Sequence, residues 1–389
     1  MRMRGNWQYH MQVLTPLHIG SGQTLLPIEY VIDKSQDQVI RVDVPRFFRL
    51  PGFPIQKYTS QVKQAGFNLQ GDFRQAALKC PLYVIKAGGN LAELQSASYE
   101  TQRILEHIRE VGQPYVPGSS LKGALRSMLL RCIVKDHQIN YEAGLQNEVE
   151  QVEFMDSRGK NRKKTYFSNR SEQRLLGDSN HSLLRVLQVS DSSRLDPSGL
   201  QLGCVKVLSQ NQYTYRWKIL GGEMNTEDAG KATPVFFEAL APGTNLEGRI
   251  KIDANLMSEG VARQLLFEQK LSYIDNLVKY LQDGANRLLE HEKQFYEKLE
   301  FNPGIRQIEY LQKVLQDCGN DSFILSLGWG TGYLAKATGW IINVQLMERI
   351  RHNFAMGRQG FALPKSRKIC FAQGEPVALP GWVRISLQP

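Results

Sequence analysis

Trp7, Tyr9, Met11 and Val13 alternate with Gln8, His10 and Gln12, the two-residue period of a strand with one face on a core. The chain then enters Leu14-Thr15-Pro16-Leu17-His18-Ile19-Gly20-Ser21-Gly22, a predicted loop whose glycines let main-chain N–H groups face a ligand. A hairpin is predicted from 29–33 and 39–43, turning through Lys34-Ser35-Gln36-Asp37. Residues 55–80 and 98–111 read mainly as helix, the second on the spacing of Ile104, Leu105, Ile108 and Val111. After the turn Pro117-Gly118, Leu121, Ala124, Leu125, Met128, Leu129, Cys132 and Ile133 recur at helical spacing, with Ser119 or Ser120 as the N-cap. Lys122, Arg126, Arg131 and Lys135 are expected to form a cationic row on the opposite face.

Strand signals return at 183–189, 202–208 and 213–219, and again at 234–240 and 246–253 around the turn Ala241-Pro242-Gly243-Thr244. These are the marks of antiparallel sheets. From 255 to 300 the period becomes helical, with breaks expected near Gly260 and Gly284. The shift predicts two domains, 1–253 and 254–389. In the last third, a short strand at 323–327 precedes the glycine-rich segment 328–339, read as strand, loop and helix. A final strand is expected to end near Leu387.

Charge changes the picture. The 389 residues carry a formal net charge of +10 with a sequence pI near 9.3, which favours an anionic partner, nucleic acid before an anionic membrane. No 18-residue apolar span occurs, and Met1-Arg2-Met3-Arg4-Gly5-Asn6 carries no signal-peptide apolar region, so a cytoplasmic protein without a membrane span is expected. Five widely spaced cysteines lack a C-x-x-C pair, and seven histidines show no H-x-x-x-H pair. No metal site and no cofactor are expected.

The candidate chemistry is therefore the binding of phosphate. A helix start exposes unpaired N–H groups and the positive end of its dipole, and at Ser119-Ser120 these stand beside Lys122 and Arg126. An ordinary capped helix with a solvated basic face is the competing reading. Residues 157–174 hold seven basic residues, among them Arg162, Lys163 and Lys164, interrupted by Tyr166 and Phe167. That is a strand-tracking loop or a solvated charge run. Trp329 is a stacking platform for a base or a core aromatic, and Lys336, Lys365 and Arg367 add cations to the last third. Several enzyme motifs fail on inspection. Ser119-x-x-Lys122 lacks its Ser-Asp-Asn and Lys-Thr-Gly companions, no Walker A loop occurs, and Gly328-Trp329-Gly330-Thr331-Gly332 does not fit the dinucleotide spacing.

The order of the motifs is more specific than any one of them. Leu14 to Gly22, Pro117-Gly118-Ser119-Ser120-Leu121-Lys122-Gly123, Val189-Ser190-Asp191-Ser192, Pro242-Gly243-Thr244 and the glycine-rich segment that begins at Leu327 together resemble the RAMP superfamily of CRISPR systems. Within it, the chain is most similar to the subunit of type III-A (Csm) effector complexes that caps the 3′ end of the guide RNA. The resemblance implies an α+β fold of two ferredoxin-like, RNA-recognition-type domains with antiparallel sheets, an elaborated first one and a smaller second one. It implies a non-catalytic crRNA-binding subunit whose partners are crRNA, the backbone RAMP subunit and its neighbours, target RNA, and host trimming nucleases. The expected RNA contacts are His18, Gly20, Ser21 and Gly22, Ser119, Ser120, Lys122 and Arg126, Arg162, Lys163 and Lys164, Trp329, Lys336, Lys365 and Arg367. The alternative is a metal-independent endoribonuclease that cuts repeat RNA with His18.

Overall fold

A computed structural model describes residues 4–150, 153–155, 158–163, 169–221, 225–336, 338, 340–357, 361 and 363–389. The alternating segment at the start of the chain becomes the centre of a five-stranded antiparallel sheet, in the order Leu187–Val189, Asn245–Ile252, Gly5–Val13, Trp382–Gln388, Ser322–Ser326. Trp7, Tyr9, Met11 and Val13 are all buried, as their period requires. Tyr9 lies opposite Gly248, where an added side-chain carbon would come within 2.4 Å of the ring.

The second sheet has ten strands and is organised on Leu200–Asn211. That strand pairs antiparallel with Val235–Leu240, Thr214–Trp217 and Ser366–Ala372, and parallel with Pro81–Lys86. Beyond Pro81–Lys86 lies the expected hairpin, Tyr30–Asp33 with Gln38–Val42, and at the other edge Ile104–His107 carries Gly20–Leu25. Packed on the strands are a central helix, Gly118–Asp136, and a long helix, Leu277–Lys298, with Asn302–Gln316 alongside the latter. The α+β class and antiparallel sheets hold. Strands from both sides of residue 254 share both sheets, however, so the two expected units are interleaved along the chain rather than consecutive.

Several local expectations are corrected. Residues 98–111 are not helical: Ile104–His107 is a strand, because pairing with Phe236 and Phe237 buries Ile104 and His107 together. The long helix runs through Gly284 instead of breaking there. An added carbon at Gly284 would meet Met128 Sδ at 2.6 Å, so the glycine permits a close approach of the two helices. The segment 183–189 begins as a 3-10 turn, Leu183–Val186, and only its end is strand. No helix follows the glycines at 328–332 directly; among the described residues the next one is Val344–Asn353.

Segment 14–19 is not an open loop but the connector between the sheets. Leu14 and Thr15 N–H both donate to Trp382 O (2.9 and 3.2 Å), Leu17 and Leu240 exchange backbone bonds (3.2 and 2.8 Å), and Gly381 N–H donates to Pro16 O (3.0 Å). Thr15 through Ile19 are buried in consequence.

Candidate functional site

The connector emerges at Gly20, beside the central helix and the glycine-rich loop. These three segments, remote in sequence, line one groove of about 440 Å³ with Gly20, Ser120, Gly123, Ser127, Trp329 and Lys336 on its walls. Gly123 faces open space and Gly22, at φ 87°, is exposed on the sheet edge. Gly328, at φ 83°, is held close: an added carbon would meet His18 O at 2.4 Å, and Trp329 N–H donates to that same carbonyl (2.8 Å). The connector thus fixes the loop that carries Trp329.

Trp329 is half-buried, its ring 5.4 Å from Phe237 and 5.8 Å from His18, with Lys368 Nζ 5.0 Å above its centroid. Burial, then repulsion from Lys336 and Lys218, lowers the Lys368 pKa. Among the described residues none of these three lysines pairs with a carboxylate. An aromatic face with uncompensated cations beside a groove is suited to a phosphate chain and its bases.

The other expected site residues fall elsewhere. His18 is 1% exposed. Its Nδ1–H donates to Glu238 O (2.7 Å), and burial lowers its pKa, so the imidazole is a neutral core group and not an RNA contact as it stands. Behind it His107, pushed down to about 3 by burial, accepts from Ile19 N–H at Nδ1 (3.3 Å) and donates from Nε2 to Tyr115 O (3.2 Å). Glu238 accepts from Tyr83 (2.7 Å), His107 N–H (2.9 Å) and Arg109 (2.5 Å).

At the central helix neither serine is the cap. Pro117 holds the N-cap position, the first helical N–H, at Gly118, donates to Asp191 Oδ1 (2.7 Å), and Ser120 N–H donates to Pro117 O (3.0 Å). A carboxylate therefore already sits where the anion was expected. Gly118 is required by packing, since an added carbon would come within 2.3 Å of Val189 O. Ser119 is exposed at this end and Ser21 lies on the bulged edge strand, with its Oγ accepting from Gln23 N–H (3.0 Å). At 100° per residue, Lys122 lies roughly opposite Ser120, Ala124 and Ser127 on the helix, and Arg126 is turned aside to Glu172 (2.8 Å). Arg131 leaves the solvated row altogether and is buried.

Arg367 also points inward, paired with Glu292 (2.7 Å) and lying 3.9 Å over the Phe295 ring, whereas Lys365 is half-buried 5.0 Å over Phe361. Of the basic segment, the backbone of Asn161–Lys163 forms a short ribbon with Glu153–Met155; this places Arg162 and Lys163 in the chain, and Lys164 lies outside the described residues. The cation that sequence reasoning missed beside the groove is Lys368, which lies over the Trp329 ring, while its strand neighbour Arg367 points inward. The two-residue period of Ser366–Ala372 was the available signal, because it turns 367 and 368 to opposite faces.

A sequence profile of the RAMP superfamily matches residues 10–335. The CRISPR system Cms protein Csm5 of Mycobacterium tuberculosis (strain ATCC 25618 / H37Rv) is 29% identical over 157 residues, 40% of this chain and 36% of that protein, so the match spans about a third of that relative's length. The Csm5 protein of Methanocaldococcus jannaschii is 24% identical over 351 residues, covering 84% of this chain and 71% of that one. Two solved structures share the fold. A chain of the cryo-EM structure of a Csm–crRNA–target RNA ternary complex in a type III-A CRISPR-Cas system has a TM-score of 0.66 at 21% identity, over 98% of this chain and 100% of that one. The crystal structure of T. onnurineus Csm5 has a TM-score of 0.59 at 19% identity, over 96% and 99%.

Proposed function

The chain belongs to the RAMP superfamily, and from that premise we propose that it is the guide-binding end subunit of a type III-A CRISPR effector complex, Csm5-like in role. In this reading it grips crRNA near its 3′ end, caps the filament of backbone subunits and supports guide maturation, with host nucleases doing the trimming. The observation that carries the reading is the convergence of Gly20, Gly123 and Trp329 on one groove flanked by Lys336 and Lys368. Glycine and small hydroxyl residues let a backbone approach, Trp329 offers a ring, and the lysines neutralise phosphates without being committed to carboxylates. A solved chain of the same fold comes from a complex with crRNA and target RNA, which supports an RNA-binding role.

No catalytic role is assigned. His18, the candidate base, is 1% exposed and packed against Phe237 and His107 with Nδ1 committed to Glu238 O, and among the described residues no free acid or base stands beside it to complete a general acid–base pair. Purified protein is expected to leave repeat RNA intact in EDTA; fragments ending in a 2′,3′-cyclic phosphate would establish the endoribonuclease instead.

The groove is tested by salt titration of single-stranded guide RNA binding. Lys336→Glu with Lys368→Glu should weaken binding about tenfold or more and reduce the slope of log K against log salt by roughly 1.4, about 0.7 per lost phosphate contact. Lys122→Glu, on the far side of the helix, should change both far less. Unchanged affinity and slope in the Lys336/Lys368 variant would overturn this use of the groove.

A further inference from the structure

Past Ser127 the same face of the central helix carries Arg131 and Lys135, one and two turns further on, and there it meets the long helix across a second cavity of about 310 Å³. Arg131 is 4% exposed. Its Nη1 donates to Leu334 O (2.8 Å) and its Nη2 to Met128 Sδ (3.0 Å), but the buried Nε–H has no acceptor, and among the described residues no carboxylate pairs with the guanidinium. Burial pushes its pKa down to about 10, so it stays charged at neutral pH. A buried cation with one donor unmet and no counter-charge is a costly arrangement unless an anion enters.

The rest of the lining supplies what such an anion would carry with it. Arg287 and Lys135 are likewise without a carboxylate partner among the described residues; the exposed Glu290, which accepts from the Asn286 amide (2.7 Å), sets one negative charge against the three cations of the lining. Trp340 is anchored by its indole N–H to Leu334 O (3.2 Å), the same carbonyl that holds Arg131, and its ring lies 4.9 Å from that of His291 at a tilt of 39°. Three cations, one of them buried, therefore stand beside a pair of rings in a space at the small end of ligand cavities, enough for about one nucleotide.

We propose that this cavity is a nucleotide site: Arg131, Arg287 and Lys135 take the phosphate of a nucleoside monophosphate unit, free or within an RNA strand, and the Trp340–His291 pair takes the base. The site is separate from the groove and does not depend on the reading given for it. The spacing along the helix, about 6 Å from Ser127 to Arg131, suits a strand that leaves the groove and continues here.

The test uses the full chain and AMP, adenosine and inorganic phosphate as probes, titrated calorimetrically at constant ionic strength. AMP should bind about tenfold or more tightly than adenosine, because its phosphate meets two or three charge-assisted donors. Arg287→Gln with Lys135→Gln should weaken AMP about tenfold or more while leaving the melting temperature unchanged. Arg131→Met should abolish binding, and if that variant does not fold, the first decides. AMP binding no tighter than adenosine, or undiminished in the Arg287/Lys135 variant, overturns the proposal. Competition by a short oligoadenylate assigns the site to a strand, and its absence assigns it to a free nucleotide. AMP binding that persists in the Lys336→Glu, Lys368→Glu variant separates this site from the groove.

Discussion

Two buried histidines make the fold sensitive to mild acid. Unfolded, each titrates near pH 6.5, whereas burial holds His18 below that value and His107 down to about 3. Below pH 6.5 the unfolded chain therefore binds protons that the folded chain refuses, and stability present in full above that pH is lost as the pH falls. For His107 the loss runs from about pH 6.5 towards 3, at roughly 1.4 kcal/mol per pH unit well below 6.5. Urea unfolding between pH 7 and 4.5 should show a shallower acid slope for His107→Gln than for the native chain. Parallel slopes would show that His107 takes up its proton in the folded state. A second residue-level expectation concerns Arg367. Truncation to Ala leaves Glu292 charged and nearly buried and removes the guanidinium from the Phe295 ring, so it should cost about 3–5 kcal/mol. Arg367→Met with Glu292→Leu, which removes both charges, should recover most of that loss in denaturant melts. Neither role was legible in the sequence, where a histidine beside glycines and an arginine in a basic run both looked solvent-facing. Only Glu238 on a sheet strand and Glu292 on the long helix, 220 and 75 residues away, turn them inward.

Elements were more legible than their ends. The period of two in Gly5–Val13 survives in the structure because it follows from one buried face, and the helical spacing from Leu121 survives as far as Met128, beyond which residues 128–134 are all buried and the helix is enclosed on every side. The start of the central helix was misjudged, since its cap comes from another segment: Asp191 Oδ1 accepts from Gly118 N–H, and Ser192 Oγ accepts from Val116 N–H (2.9 Å). Local capping preferences had no means of anticipating a carboxylate 73 residues away. Asp191→Ala should therefore destabilise the chain by about 0.5–2 kcal/mol, the range for loss of a cap, while Ser119→Ala should change stability little. Thermal melts of the two variants decide between the cap seen here and the serine cap that the sequence suggested. The same reasoning explains Arg131: one of four cations expected to be solvated, it lies instead on the face that meets Leu334 and lines a cavity with Trp340 and Ile341, whose positions no helical period reveals.

At the scale of the molecule, the five-stranded sheet closes the chain on itself. Trp382–Gln388, the last strand, lies between Gly5–Val13, the first, and Ser322–Ser326, while Ser366–Ala372 runs along Leu200–Asn211 in the other sheet. Composition and period suggested a division near residue 254 because the character of the sequence changes there, from strand signals to helix signals. Periodicity reports on an element's own faces and carries no information about which distant strand covers its edge. Residues 1–253 alone would leave Gly5–Val13 without one of its two neighbours and strip Leu200–Asn211 of its partner Ser366–Ala372, opposite which the buried Cys204, Val205 and Leu208 lie. They would also lose the long helix, whose Leu281, Ala285 and Leu288 are buried in the core shared with the central helix. Exposed edges and apolar surface of that extent favour aggregation over folding. The fragment is thus expected to be protease-sensitive and insoluble, and the full chain to unfold in a single calorimetric transition. Separate addition of residues 254–389 should restore protease resistance to the fragment, because the missing strands then come from the partner piece. A fragment 1–253 that folds by itself, with a sharp melt and native-like protease resistance, would show that the two halves are independent units after all.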